Sequence, residues 1–291
     1  MTTYKELKGT NIEVNSSDPS NPIEGQVWFN STSNVLKGLR PNLSGSWSTG
    51  GSLNQARDQA AGSGTQTSTL VFGGGPPNKA QTEAYDGSSW TELNDLNTAR
   101  RGIAGAGADS TSALAFGGGS PGKNETETWN GTNWTAVNNL NTSRYFLGGV
   151  GIQTAALAFG GYTTTNVNNT EVWNGTNWTE VNNLNSGRAG PGSAGVYTST
   201  LAFGGNDGSV TGKTEQWNGT NWTEVNDLNT VRVGPGGGGL SNTAAIAFGG
   251  SVPYPSAPPP TVPSAVVEQW DGTSWTEVAD ISQARAYIAG S

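Results

Sequence analysis

One motif recurs along nearly the whole chain: a tryptophan, an arginine ten residues later, and then a Phe-Gly-Gly triplet. The tryptophans Trp90, Trp134, Trp178, Trp222 and Trp275 are spaced by 44, 44, 44 and 53 residues. Arg100, Arg144, Arg188, Arg232 and Arg285 follow them, and Trp47 to Arg57 repeats the same step. The triplet begins at Phe72, Phe116, Phe159, Phe203 and Phe248. A period of this length is the mark of an array whose units bury their apolar faces only against one another.

Each unit reads as four short strands, a to d. Strand a follows the arginine and is built of small residues, as in Arg101-Gly-Ile-Ala-Gly-Ala-Gly107, which suits an innermost position where backbones converge. Strand b, as in Ala113-Leu-Ala-Phe116, is apolar on both faces and so belongs between neighbouring sheets. Strands c and d flank Asn-Gly at 130, 174 and 218 and Asp-Gly at 86 and 271, which predicts a hairpin with a type I′ turn. Four-stranded meanders that repeat in this way stack radially into a β-propeller.

The Gly pair closing strand b, the aromatic of strand c (Tyr85, Trp129, Trp173, Trp217, Trp270), the strand-d Trp and the Arg opening the next unit together resemble the Kelch repeat. The resemblance runs from about Trp47 to Arg285 and implies an all-β, Kelch-like β-propeller. Its two aromatics stand only five residues apart, which shortens the c-to-d hairpin relative to Kelch units. The expected count is six blades, with residues 25–49 and 286–291 forming a composite closing blade after an N-terminal arm, residues 1–24. In it Gln26–Asn30, Val35–Leu39 and Ser46–Thr49 act as b, c and d, and Ala286–Ser291 as a. Sewing both ends of the chain into one sheet would remove free edges. The alternative is five blades with the N-terminal segment as an appendage.

Composition narrows the function. With a net charge of −8 and no run of Lys or Arg, the chain lacks a phosphate-neutralising patch, and no nucleic-acid partner is expected. No apolar run nears the roughly 18 residues of a membrane span, so no membrane insertion is expected; nor does the start, MTTYKELKGT, read as an export signal. There is no His and no Cys, which removes the commonest general base, thiolate chemistry and most metal ligands. No cofactor and no metal are expected, and the activity of Kelch-type copper oxidases is excluded on inventory. The acidic residues outside the repeat positions, mainly Asp58, Asp109, Glu125 and Asp207, force no catalytic pair. The expectation is a binding or structural protein, not an enzyme.

In such a meander the b-to-c loops and the d-to-a connections emerge on one face. The d-to-a connections are nearly identical, whereas the b-to-c loops all differ, which makes that face the candidate binding surface. Its candidate residues are Lys79, Lys123, Tyr162, Asn166, Asp207, Lys213 and Tyr254. The last loop, Ser251–Ala265, holds six prolines and is expected to be extended and stiff. The recurring arginines (Arg57, Arg100, Arg144, Arg188, Arg232, Arg285) and tryptophans (Trp90, Trp134, Trp178, Trp222, Trp275) are assigned to the blades themselves. The strand-c glutamates Glu83, Glu127, Glu171, Glu215 and Glu268 are candidate arginine partners.

A second resemblance lies near the start. The run Glu24-Gly-Gln-Val-Trp-Phe-Asn-Ser-Thr-Ser33, continuing through Leu36-Lys-Gly38 to Gly45-Ser-Trp47, is similar to a segment of virion structural proteins of tailed bacteriophages, notably tail and fibre proteins. It implies a virion protein, on tail or head, assembled in the host cytoplasm. Its partners would be other virion proteins and a host cell-surface glycan or protein. A tail-associated carbohydrate-active enzyme and a cytosolic interaction scaffold are the alternatives.

Overall fold

The computed structural model describes residues 13–17, 27–32, 34–38, 47–253 and 261–290. The chain divides into two compact units, Met1–Gly45 and Ser46–Ser291. In the first, β1 (Glu13–Asn15) pairs in parallel with β2 (Val27–Asn30), which pairs antiparallel with β3 (Val35–Gly38).

The second unit is a β-propeller of five four-stranded blades. Blade 1 comprises β4 (Ala61–Thr65), β5 (Ser68–Phe72), β6 (Thr82–Tyr85) and β7 (Trp90–Leu93). Blade 2 comprises β8 (Ala104–Asp109), β9 (Ser112–Phe116), β10 (Thr126–Trp129) and β11 (Trp134–Val137). Blade 3 comprises β12 (Gly148–Ile152), β13 (Ala155–Phe159), β14 (Thr170–Trp173) and β15 (Trp178–Val181). Blade 4 comprises β16 (Gly192–Val196), β17 (Ser199–Phe203), β18 (Thr214–Trp217) and β19 (Trp222–Val225). Blade 5 comprises β20 (Gly236–Ser241), β21 (Ala244–Phe248), β24 (Val267–Trp270) and β25 (Trp275–Val278). Its b-to-c connection carries the antiparallel pair β22 (Ser251–Pro253) and β23 (Thr261–Pro263).

The six-blade expectation is corrected. Val27–Asn30 and Val35–Gly38 do not supply strands b and c of a closing blade; they belong to the separate three-stranded sheet with β1. Residues 286–290 form no strand, but Ile288, Ala289 and Gly290 line the axial cavity. Six equivalent residues line the axial cavity: Gly62, Gly105, Gly149, Ser193, Gly237 and Gly290. Gly290 lies against Gly237, and Ala289 and Gly290 against Gly62. The hub is thus six-fold, and among the described residues its sixth sector carries no four-stranded blade.

The hairpins differ from the sequence expectation in turn type. Trp129 pairs with Trp134, leaving a four-residue loop in which Gly131 is left-handed at φ 89° and Asn130 is not. Asn130 acts through its side chain, whose Oδ1 accepts the backbone N–H groups of Thr132 and Asn133 at 3.0 and 2.9 Å. This is an Asx cap; the Asn serves as an acceptor and not as a tolerator of positive φ.

No blade buries a core of its own. The strand-b phenylalanine of each blade meets the strand-d tryptophan of the next: Phe72–Trp134, Phe116–Trp178, Phe159–Trp222 and Phe203–Trp275, with ring centroids 4.9–5.1 Å apart. Each of these indoles donates across the interface to the threonine that opens strand c of the preceding blade, as Trp178 Nε1 does to Thr126 Oγ1 at 3.0 Å. At the hub the blades approach so closely that a Cβ on Gly105 would stand 2.7 Å from the Phe72 ring.

Five buried ion pairs lock the blades internally. Arg57, Arg100, Arg144, Arg188 and Arg232 bond Glu83, Glu127, Glu171, Glu215 and Glu268 at 2.8–3.0 Å, with the guanidinium groups wholly buried. The second carboxylate oxygen accepts from an asparagine of the incoming d-to-a connection, as Glu171 Oε2 does from Asn141 N and Nδ2, both at 2.8 Å. Burial lowers the pKa of every one of these arginines; Arg144, lowered to about 10, is still charged at neutral pH.

Candidate functional site at the channel mouth

The residue two places after each repeat arginine sits in a ring around the axis: Gln59, Gly102, Phe146, Gly190, Gly234 and Tyr287, all with left-handed φ between 50° and 62°. Backbone hydrogen bonds run head to tail around it, from Gly102 N to Gln59 O, Phe146 N to Gly102 O, Gly190 N to Phe146 O, Gly234 N to Gly190 O and Gln59 N to Tyr287 O, at 2.7–3.1 Å. The ring demands positive φ at each position, which glycine meets without cost. Gln59, Phe146 and Tyr287 meet it at a cost of order 1–3 kcal/mol each. Three large side chains are therefore held over the channel mouth at an energetic cost, a pattern associated with functional sites.

Phe146 and Tyr287 stand three sectors apart, yet their ring centroids are 5.6 Å from each other, so they meet above the opening. Tyr145 packs on Phe146 at 5.1 Å and on Tyr162 at 5.5 Å, extending the aromatic run outward. Polar groups border it. Asp58 pairs through its backbone with Gly75, and Arg101 packs against Gly75. Asp58 Oδ1, Gln59 Oε1 and Arg101 Nε are buried and have no hydrogen-bond partner among the described residues. The other side of the mouth presents only Ala189-Gly190 and Val233-Gly234. The near-symmetric ring is thus functionalised on one half.

The Tyr287 phenol is held above the ordinary tyrosine value by burial and then by the charge of Asp58. Its neutral form is the one the fold favours. Stability from it is complete below pH 10.0, where the unfolded tyrosine ionises, and is lost as pH rises through the raised folded value. In an alkaline titration followed by phenolate absorbance, Tyr287→Phe should remove a late-ionising tyrosine, and Asp58→Asn should lower the pH at which Tyr287 ionises. A titration in which Tyr287→Phe removes an ordinary tyrosine instead would contradict this.

The residues proposed from sequence divide. Tyr162 belongs to the aromatic run, and Asn166 bridges to it through the backbone. The three lysines are engaged locally: Lys79 Nζ donates to Ala56 O of the connection entering blade 1 at 2.8 Å, while Lys123 contacts Glu125 at 3.3 Å and Lys213 contacts Asp207 at 2.7 Å within their own loops. That last contact lowers the pKa of Asp207 and raises that of Lys213. Tyr254 lies outside the described residues. Asp58, Gln59, Arg101, Tyr145, Phe146 and Tyr287 were not proposed as a site. Aligning the repeats on the arginine exposes them, since the next two residues read Asp-Gln, Arg-Gly, Tyr-Phe, Ala-Gly, Val-Gly and Ala-Tyr. No group of three or more His, Cys, Asp or Glu that could hold a metal ion occurs among the described residues, and no helix there is long and apolar enough to cross a membrane.

No protein-family model matches the chain, and no curated protein matches it in sequence. Among solved structures it is similar to YjhT, with a TM-score of 0.68 at 15% identity, over 81% of this chain and 88% of that one. The fold is a β-propeller. This likeness also corrects the expectation of a non-enzymatic protein. That expectation rested on an inventory lacking His and Cys; the mouth of this propeller gathers a carboxylate, a phenol and a guanidinium, so activity is not excluded by inventory.

Proposed function

We propose that this chain is a virion structural and binding protein of a tailed bacteriophage, whose Kelch-like propeller engages a host-surface glycan at the channel mouth. The single observation that carries the binding reading is the one-sided cluster there: an aromatic run, Tyr162, Tyr145, Phe146 and Tyr287, beside the unpartnered polar atoms of Asp58, Gln59 and Arg101. A sugar ring offers a C–H face to stack on aromatics and hydroxyls to bond to fixed acceptors and donors, and a mostly apolar site with a few placed polar groups suits such a ligand. The virion assignment is supported by the resemblance of residues 24–47 to phage tail proteins.

Titration of host polysaccharide fragments into the protein by calorimetry tests the site. Tyr145→Ala is expected to weaken binding on the order of tenfold or more, about 1.4 kcal/mol. Unchanged affinity in that variant would remove the site, and absence of the chain from purified particles would remove the virion assignment.

A carbohydrate-active enzyme is the second reading, favoured by the unpartnered Asp58 Oδ1 and the charge of Asp58 acting on the Tyr287 phenol. Release of reducing ends from the same polysaccharide, abolished by Asp58→Asn, would establish it.

A further inference from the structure

The hub has six positions, and the sixth carries pieces of a blade. Ala289 and Gly290 stand at the register where the other sectors begin strand a. At the outer end Trp47 packs on Phe248 with ring centroids 5.3 Å apart, repeating the contact that every strand-d tryptophan from blade 2 onward makes with the phenylalanine before it. Between these two, no strand occurs among the described residues of the propeller unit. The space is a cavity of about 770 Å³, walled on its apolar side by Trp47, Phe248, Ile281 and Ile288.

The arginine register continues into this sector. Arg285 has the same backbone pairing as the others, accepting from Gly250 N at 2.8 Å and donating to Ser264 O at 3.0 Å, as Arg100 accepts from Gly74 N and donates to Lys79 O. Its side chain differs from all five counterparts. They are buried on a strand-c glutamate; Arg285 is exposed and has no ion pair among the described residues. Ser282, three residues earlier, stands where the other sectors place the asparagine that bonds the same carboxylate, and it too is exposed.

The geometry points to this sector as a docking slot for a β-strand pair of a partner protein that presents a carboxylate to Arg285 and apolar side chains to Trp47 and Phe248. Strand addition to an open edge supplies main-chain hydrogen bonds, and the slot's alternate side-chain positions supply selection. Charge decides the occupant. A strand arriving without a carboxylate would bury Arg285 unpaired. Residues 25–46 of this chain contain no Asp or Glu and bring Lys37 and Arg40, so they do not meet the requirement, whether from the same molecule or from a second copy.

The test uses the full chain and a labelled peptide copying residues 155–173, the b and c strands of blade 3, read by fluorescence anisotropy. Binding is expected, weakened at least tenfold when the glutamate of the peptide is replaced by glutamine and likewise by Arg285→Glu in the protein. A peptide with lysine at that position should recover binding to the Arg285→Glu protein. Absence of binding, or binding indifferent to these exchanges, overturns the proposal. The Cys-free chain also permits a direct check with Lys37→Cys and Arg285→Cys. A disulfide within one molecule would assign the slot to its own N-terminal segment, and one between molecules to a second copy; either result overturns a foreign partner.

Discussion

Glu171→Ala is expected to lower the unfolding free energy by about 3–5 kcal/mol, the cost of leaving one partner of a buried ion pair uncompensated. Arg144 is fully buried, its Nη2 3.0 Å from Glu171 Oε1 and its Nη1 3.1 Å from Gly160 O. Even with burial lowering its pKa to about 10, the guanidinium is charged at neutral pH, and the variant gives it no counter-charge. The loss extends to Asn141, whose backbone and side-chain N–H groups both donate to the same carboxylate. A urea midpoint measured for Glu171→Ala, Arg144→Met and the double variant Arg144→Met/Glu171→Leu separates charge from packing. The double variant should be more stable than either single one, because no buried charge remains. Arg285→Ala is the internal control: the same repeat position, exposed and with no ion pair among the described residues, should leave the midpoint unchanged. Equal losses at Arg144 and Arg285 would refute the buried-pair account.

Trp173→Ala is expected to cost a similar 3–5 kcal/mol for a different reason, the cavity left by a large aromatic. The indole is 1% exposed, donates from Nε1 to Gln153 O at 3.0 Å, and packs on Trp178 at 5.4 Å. Its surroundings include Phe116 and Leu114 of blade 2 together with Leu147 and Ala156, which border or belong to blade 3, so the hole opens at a seam between blades. Trp178→Phe keeps most of the volume but strands the buried Thr126 hydroxyl that the indole serves at 3.0 Å, and should cost about 1–3 kcal/mol. Both are read from denaturant unfolding followed by tryptophan fluorescence and by far-ultraviolet circular dichroism. A Trp173→Ala protein as stable as the parent would mean that the seams carry little of the energy.

The blades were legible because local rules and long-range packing agree in them. The Trp-to-Arg step, the Gly pairs and the Asn-Gly hairpins repeat in register, and each copy meets the same neighbour. Where the copies stop agreeing, sequence reasoning faltered. Gln26–Asn30 and Val35–Leu39 have strand-like composition, and that placed them in a sixth blade. They lack the Thr-Glu of strand c, and therefore the carboxylate that every completed blade sets against its arginine. The mouth was missed for a related reason. Attention to the conspicuous arginine hid the two residues after it, and the significance of Tyr145-Phe146 and Ala286-Tyr287 depends on a ring of left-handed backbone whose existence no single repeat discloses.

What the amino-acid order determined alone is the unit: its strands, its turns and the fact that its apolar faces need a neighbour, all consequences of contacts a few residues apart or one period away. Tertiary structure decided how many units close the ring, which arginines are buried on a strand-c glutamate, and which side chains meet over the axis. Those outcomes depend on angles accumulated around the hub. They bring residues as distant as Phe146 and Tyr287 within 5.6 Å, a separation that no local pattern encodes.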